Sequence, residues 1–313
     1  MKIDILGGEF SLIKKMVKGF SQKKAVVGIG DDAAVIRVGK KLLCISTDTM
    51  VEGTHFSFNY FTPLQVGKKA IESNVSDIAA MGGIPHYITV ALTVKKNTDV
   101  NNVEELYHGI KQCCQRYSLS LIGGDTTVGP CLSITVTIIG EVTSKNLCKR
   151  SDAQPGDFIM VSGDVGKSEA GLQLLKKGLT GKAIHFHLEP CARLDFSKKY
   201  SSFINAMEDV SDGLASEIRN MCEQSHVGAI IFKENLPLSH ATIEAAHRLH
   251  QHPYDYALFG GEDYELVFTV SEKNLSKVPG FLVGEITKRK GIRLFEKGKE
   301  MPLLHFGYDH FIK

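Results

Sequence analysis

Lys41-Leu42-Leu43-Cys44-Ile45-Ser46-Thr47-Asp48-Thr49 opens as a short apolar run and ends in four polar residues. The apolar part reads as a buried strand. Packing gives no reason for the polar end. A cation held by one carboxylate, with hydroxyl or carbonyl support, does. Downstream, Pro63 to Met81 has helical spacing, and Gly82-Gly83 ahead of Pro85 is a helix stop. Tyr87 to Val94 is β-rich and Val103 to Tyr117 is helical. Leu132 to Ile139 alternates Ser or Thr with apolar residues at period two, as a half-exposed strand does. Strand and helix patterns therefore alternate, which indicates an α/β (α+β) fold.

The polar, turn-rich stretch Cys148 to Asp157, with Lys149-Arg150-Ser151-Asp152 and Pro155-Gly156, predicts a boundary between domains 1–148 and 149–313. Beyond it, Phe158 to Val161 reads as a strand, and Gly163 to Gly166 turns into a helix starting near Lys167 or Ser168. Leu214 to Ser225 reads as a helix; Gly228 to Phe232 and Glu265 to Val270 read as strands. There is no internal repeat at solenoid periods and no low-complexity tract.

The 313 residues are 43% hydrophobic and 23% charged, a globular composition. The net charge of +2 gives no argument for nucleic acid or an anionic membrane as partner. No apolar run approaches the roughly 20 residues of a membrane span, and Met1 to Lys15 has no long apolar core of the signal-peptide kind. Seven cysteines, without a Cys-x-x-Cys, argue against zinc fingers and a disulfide framework and read as small apolar fillers. The expectation is a cytoplasmic protein.

Chemistry is concentrated in short acidic motifs. Gly28-Ile29-Gly30-Asp31-Asp32 is either a strand-end turn or a pair of carboxylates held at a sharp bend. Asn74 and Asp77 share a helix face, which is either solvated or a ligand face. Gly123-Gly124-Asp125-Thr126-Thr127 offers close backbone approach to phosphate and a carboxylate for a metal. In Asp209-Val210-Ser211-Asp212-Gly213, Asp212 either caps the next helix or binds a cation; capping leaves Asp209 unexplained. Converging carboxylates repel unless cations neutralise them, and magnesium is the hard cation that bridges carboxylates to phosphates. Glu262-Asp263, after Gly260-Gly261, is either a turn or another acidic site. His55 follows the first motif closely enough to touch substrate. Gly163-Asp164-Val165-Gly166-Lys167-Ser168 ends like a Walker A loop but has Val161 where the pattern needs glycine. His185 and His187, like His247, His250 and His252, read as solvated surface.

Together these residues resemble the thiamine-monophosphate kinase family, part of the aminoimidazole ribonucleotide synthetase-like superfamily. The resemblance rests on Gly8 to Ile13, Gly28 to Asp32, Ser46 to Thr49, Ser76 to Gly82, Gly123 to Thr127, Arg150, Ser211 to Leu214, Gly260 to Leu266 and Gly307 to Phe311. It covers essentially the whole chain. It implies a two-domain fold, with an N-terminal domain that forms a dimeric β-barrel and binds ATP and magnesium, and a C-terminal α/β domain that completes the substrate site. It implies a homodimer, with thiamine monophosphate and ATP as substrates and several magnesium ions as cofactor. By position, Asp32, Ser46, Thr47, Asp48, Asp77, Asp125, Asp209 and Asp212 match the family's metal ligands. Asp32, Tyr107, Gly124, Asp125, Arg150 and Ser211 match its ATP contacts, and His55, Glu262 and Tyr308 its thiamine phosphate contacts. The chain has no Trp, so Tyr308 fills the family's late aromatic position.

The implied reaction needs no strong general base, because the acceptor is already an anionic phosphate. Two unit charges about 4 Å apart repel by roughly 4 kcal/mol at an effective dielectric of 20. Screening and in-line positioning are therefore the catalytic task. The alternatives are an aminoimidazole ribonucleotide synthetase-like ligase and a non-catalytic nucleotide-binding module.

Overall fold

A computed structural model describes residues 8–308 and 310–311. Asp309 of the closing motif and the first seven residues lie outside that set. The N-terminal half runs α1 (Gly8–Met16), β1 (Ala25–Val27), β2 (Ala34–Val38), β3 (Lys41–Val51), α2 (Pro63–Ala80), β4 (Ile84–Val94), α3 (Val100–Tyr117), β5 (Ser120–Val128) and β6 (Ser133–Val142). Its sheet has the order β1-β2-β3-β6-β4-β5. Only β4 and β5, joined through α3, pair in parallel.

Helix α2 starts on a capping box. Thr62 accepts from the Gln65 N–H, the Gln65 side chain accepts from the Thr62 N–H, and Pro63 supplies the first helical residue. Its Val66, Ala70, Ile71, Val75 and Ile78 join Ile88, Val90 and Leu92 of β4 and Ile134, Val136 and Ile138 of β6 in one core. Helices α2 and α3 meet backbone to backbone at Gly67 and Gly109. A Cβ on Gly67 would stand 2.0 Å from the Leu106 carbonyl oxygen.

The opposite face of this sheet carries Thr47, Thr49, Thr135 and Thr137, whose hydroxyls pair across β3 and β6 at 3.0 and 2.9 Å. Strand β5 is exposed along its whole length. Within one chain the sheet is open, so the barrel expected of this half is not closed among the described residues.

The C-terminal half runs β7 (Phe158–Val161), α4 (Lys167–Lys176), α5 (Ile184–Leu188), α6 (Leu194–Tyr200), β8 (Met207–Asp209), α7 (Leu214–Ser225), β9 (Gly228–Phe232), α8 (His240–Arg248), α9 (Pro253–Phe259), β10 (Leu266–Val270), β11 (Phe281–Thr287), β12 (Gly291–Glu296) and β13 (Lys299–Pro302). Its sheet has the order β13-β12-β9-β11-β7-β10-β8. A second core gathers Ile159, Val161, Leu214, Ile218, Ile231 and Val267. A third joins the halves through Ala80, Cys148, Met207, Leu266 and Phe268. None of the helices described is long and apolar enough to cross a membrane.

Candidate functional site

Three aspartates from three elements converge where the halves meet. Asp32 comes from the β1–β2 turn, Asp77 from α2 and Asp209 from the end of β8. One carboxylate oxygen from each lies within 4.8 Å of the others. Two hydroxyls hold them: Ser46 Oγ donates to Asp77 Oδ2 at 2.5 Å, and Ser76 Oγ donates to Asp209 Oδ2 at 2.6 Å. Asp48 joins this group, with the Ser73 hydroxyl favouring its ionised form and the Asp32 charge opposing it. The polar stretch of α2 is therefore not a solvated face. Ser73, Asn74 and Ser76 are buried.

Burial pushes the carboxyls of Asp32, Asp48, Asp77 and Asp209 above the ordinary range; neighbouring carboxylate charges add to it at Asp48, Asp77 and Asp209, whereas Arg150 opposes it at Asp32. Asp212 is pushed up to about 8, first by burial and then by the Glu217 charge. The counter-charge the chain supplies here is Arg150. Its Nη2 reaches Asp32 Oδ1 at 2.5 Å and Glu208 Oε1 at 2.9 Å. One arginine does not balance this many carboxylates, and Asp32 Oδ2 is buried without a hydrogen-bond partner. The donors are all hard oxygens, so the set suits magnesium. Arg150, expected on the ATP phosphates, has its fork turned onto carboxylates. Glu208 is not legible in the sequence because a glutamate in the middle of a three-residue strand carries no pattern of its own.

Strand geometry separates other members of the expected set. Strand β3 continues to Val51, so alternation divides its polar motif between two faces. Ser46 and Asp48 face the aspartates. The Thr47 side chain points to the other face, against Thr137, which leaves its carbonyl as the only donor on offer to the cluster. Asp48 pairs with Val136 in β6, Val136 with Val90 in β4, and Val90 with Gly124 in β5. Asp125 lies in the next row with Ala91, Thr135 and Thr49. It is therefore three strands from Asp48 and on the opposite face. Tyr107, Gly124 and Asp125 line a separate cavity of about 540 Å3.

On the C-terminal side, Asp212 does not cap α7. The N-cap is Gly213, with no side-chain bond to the helix, and the Asp212 N–H is taken by Glu217 Oε1 at 2.7 Å. The Asp212 carbonyl accepts from the Tyr308 N–H at 3.0 Å. That approach needs Gly307, where a Cβ would stand 1.8 Å from the same oxygen. The C-terminal strap thereby sets Tyr308 beside the Ser211–Asp212 turn. The His310 ring lies 4.9 Å from Tyr308 and 5.1 Å from His55, forming a row of three rings. Glu262 completes this wall. Its N–H donates to the Ser211 carbonyl at 2.7 Å, and Lys69 Nζ stands 2.7 Å from its Oε1. Lys69 holds its carboxyl below the usual range against the effect of burial.

One histidine reading changes, and the broken Walker-like pattern is not a phosphate loop. His187 is buried, not surface: its Nδ1 lies 3.1 Å from Ser168 Oγ and 3.4 Å from Glu262 Oε2. The Walker-like loop has no room for phosphate. Asp263 accepts from the Gly166 and Ser168 N–H groups at the start of α4, and Lys167 is paired with Glu265. Of the cysteines, 44, 113, 148 and 222 are buried as expected, whereas Cys191 is exposed.

Residues 30–142 match the family model for the AIR synthase related protein N-terminal domain, and residues 154–297 that for the C-terminal domain. The chain is 37% identical to the thiamine-monophosphate kinase of Buchnera aphidicola subsp. Schizaphis graminum, over 97% of this chain and 99% of that one. It is 38% identical to that of Bacillus subtilis, with the same coverage. A solved structure described as AaThiL complexed with AMPPCP and TMP superposes with a TM-score of 0.91 at 34% identity, covering 99% of both chains.

Proposed function

The chain belongs to the thiamine-monophosphate kinase family, and from that premise we infer that it transfers a phosphoryl group from ATP to thiamine monophosphate, giving thiamine diphosphate and ADP. The observation that carries the site is the meeting of Asp32, Asp77 and Asp209. It is an electron-rich pocket whose carboxylates lack enough protein cations, beside a wall of rings and one glutamate. Such a pocket has little use in a module that only binds nucleotide.

We propose that Asp32, Asp48, Asp77 and Asp209 hold magnesium, with the Ser46 hydroxyl, the Thr47 carbonyl and Asp212 as further donors. Bound there, magnesium screens donor and acceptor phosphates and draws charge from the migrating group. Arg150 orients Asp32 through its bond to that carboxylate and opposes the effect of burial on it. His55 and Tyr308 present ring faces to the flat acceptor, and Glu262 presents a carboxylate suited to the thiazolium cation. Tyr107 and Gly124 are assigned to the nucleotide, and Ser211 to its phosphates.

The uncovered threonine face and the bare β5 edge support a homodimer joined through the N-terminal halves. An open sheet with an exposed nine-residue edge strand is otherwise a liability, and two such sheets facing each other would make the barrel. In that arrangement Asp125 serves the site of the second chain. Free thiols at all seven cysteines suit a reducing compartment, and we place the enzyme in the cytoplasm.

Incubation with ATP, magnesium and thiamine monophosphate, followed by chromatography, should yield thiamine diphosphate and ADP in equal amounts. ADP without thiamine diphosphate would point to a ligase using another acceptor. No ADP at all would leave only nucleotide binding.

A further inference from the structure

We propose that Lys69 is a positioning residue for the acceptor: one buried ammonium group fixes two parts of the acceptor wall, the Glu262 carboxylate and the His55 loop. The inference rests on the acceptor lying against His55 and Glu262, as assigned above.

Lys69 lies on α2 and is fully buried. A lysine is almost never buried in this way unless paired, because an isolated charge in the interior is strongly unfavourable. Its Nζ stands 2.7 Å from Glu262 Oε1 and donates to the His55 carbonyl oxygen at 3.3 Å. The Phe61 ring covers its flank at 5.1 Å from the ring centroid. Lys69 and His55 belong to the N-terminal half, and Glu262 to the C-terminal half. A single ammonium therefore ties the two sides of the wall together.

The loop bearing Glu262 is shaped to deliver this carboxylate. Glu262 itself has φ of 63°, a left-handed conformation uncommon for a non-glycine residue. Gly261 before it lies so close to the Ser211 carbonyl that a Cβ would stand 2.1 Å away. Strain at a functional wall persists only when the surroundings over-determine it. Here those surroundings are the Ser211 carbonyl, Lys69 and His187. One Glu262 oxygen is on Lys69 and the other faces His187, yet 26% of the side chain stays accessible. The carboxylate is thus held in place without being sealed off. It can face a cationic ring from a fixed direction. The lysine touches no assigned ATP contact.

The test uses the full-length enzyme and steady-state kinetics in both substrates. Lys69→Met should raise KM for thiamine monophosphate about tenfold or more, while KM for ATP stays within about twofold. Glu262→Gln should do the same, and the double variant should be no worse than the poorer single one, because the two side chains act as a unit. If Lys69→Met does not accumulate as folded protein, Lys69→Gln, which keeps a donor without the charge, takes its place. Equal loss for both substrates, or additive effects in the double variant, would overturn the positioning role. An effect of Glu262→Gln without one of Lys69→Met overturns this inference and leaves the site assignment standing. An unchanged KM for thiamine monophosphate in Glu262→Gln overturns the assignment and the inference with it.

Discussion

Ser76 Oγ donates to Asp209 Oδ2 at 2.6 Å, and this one bond carries the helix of the N-terminal half into the acidic turn of the C-terminal half. Both residues are buried. Removing the hydroxyl leaves a buried carboxylate with one donor fewer, which costs about 1–3 kcal/mol. Ser76→Ala should lower the urea midpoint of unfolding by a corresponding amount. An unchanged midpoint would mean that the bond does not join the halves in solution.

The carboxylates at the junction oppose one another, so neutralising one should have opposite effects on folding and on turnover. Asp77 is raised first by burial and then by the charges of Asp48, Asp209 and Asp32. Asp77→Asn removes that repulsion. In a chelator the variant should melt a few degrees above the unmodified protein. Adding magnesium should raise the melting temperature of the unmodified protein in proportion to the logarithm of its concentration, and do so far less in the variant. The same change should lower kcat by at least about a hundredfold. A variant with full magnesium response and full turnover would remove Asp77 from the metal site.

Burial lowers the His187 imidazole from the ordinary 6.5 to about 3. The Lys69 and Lys176 charges act in the same direction, and Glu262 acts against them. Ser168, Tyr60 and Phe61 are its other neighbours. Between those two values the unfolded chain binds the proton and the folded one does not. Stability from this group is therefore complete above about pH 6.5 and lost as the solution is acidified toward 3. At pH 5 the loss is about 2 kcal/mol. His187→Gln should flatten the fall in stability between pH 7 and pH 5 by roughly that amount, as urea titrations at the two values would show. An unaltered slope would mean that the ring takes up its proton alike in the folded and unfolded chain.

Legibility in the sequence followed the range of the forces involved. Helix α7 (Leu214–Ser225) and strand β9 (Gly228–Phe232) have the bounds their local pattern suggests, because propensity and periodicity decide them. Strand β3 outran its apolar part, since what keeps Ser46 and Asp48 in a strand is pairing with β6, which lies far along the chain. Lys69, His187 and Glu208 carried no signal at all. Each is explained by a partner distant in sequence (Glu262 for the first two and Arg150 for the third), and no local window contains such a pair. The opposite happened at Gly163 to Ser168. There the local pattern ends like a phosphate loop, although Val161 breaks it, and a distant carboxylate, Asp263, fills it.

Tyr308 is half-exposed, and its backbone is held on Asp212. Removing the ring therefore leaves the strap attached. Tyr308→Ala should weaken thiamine monophosphate binding by about 0.5–1.5 kcal/mol, the scale of one aromatic stacking contact, with a smaller effect on ATP. Isothermal titration with each ligand separates the two. Equal weakening would place the ring away from the acceptor.

Asp48 and Asp125 pose a geometric problem that a single chain does not solve. They are three strand spacings apart, about 14 Å, and they project from opposite faces of one sheet. No metal ion bridges that gap, yet the resemblance assigns both to the metal. If Asp125 serves the site of a second chain, as proposed above, each active site draws on both chains. The prediction is complementation. Asp48→Asn and Asp125→Asn homodimers should each be inactive. After mixing, denaturing and refolding together, heterodimers should contain one site with both defects and one with neither. Random pairing then returns roughly one quarter of the unmodified activity. If each site is built within one chain, every site in the mixture carries one defect, and no activity returns.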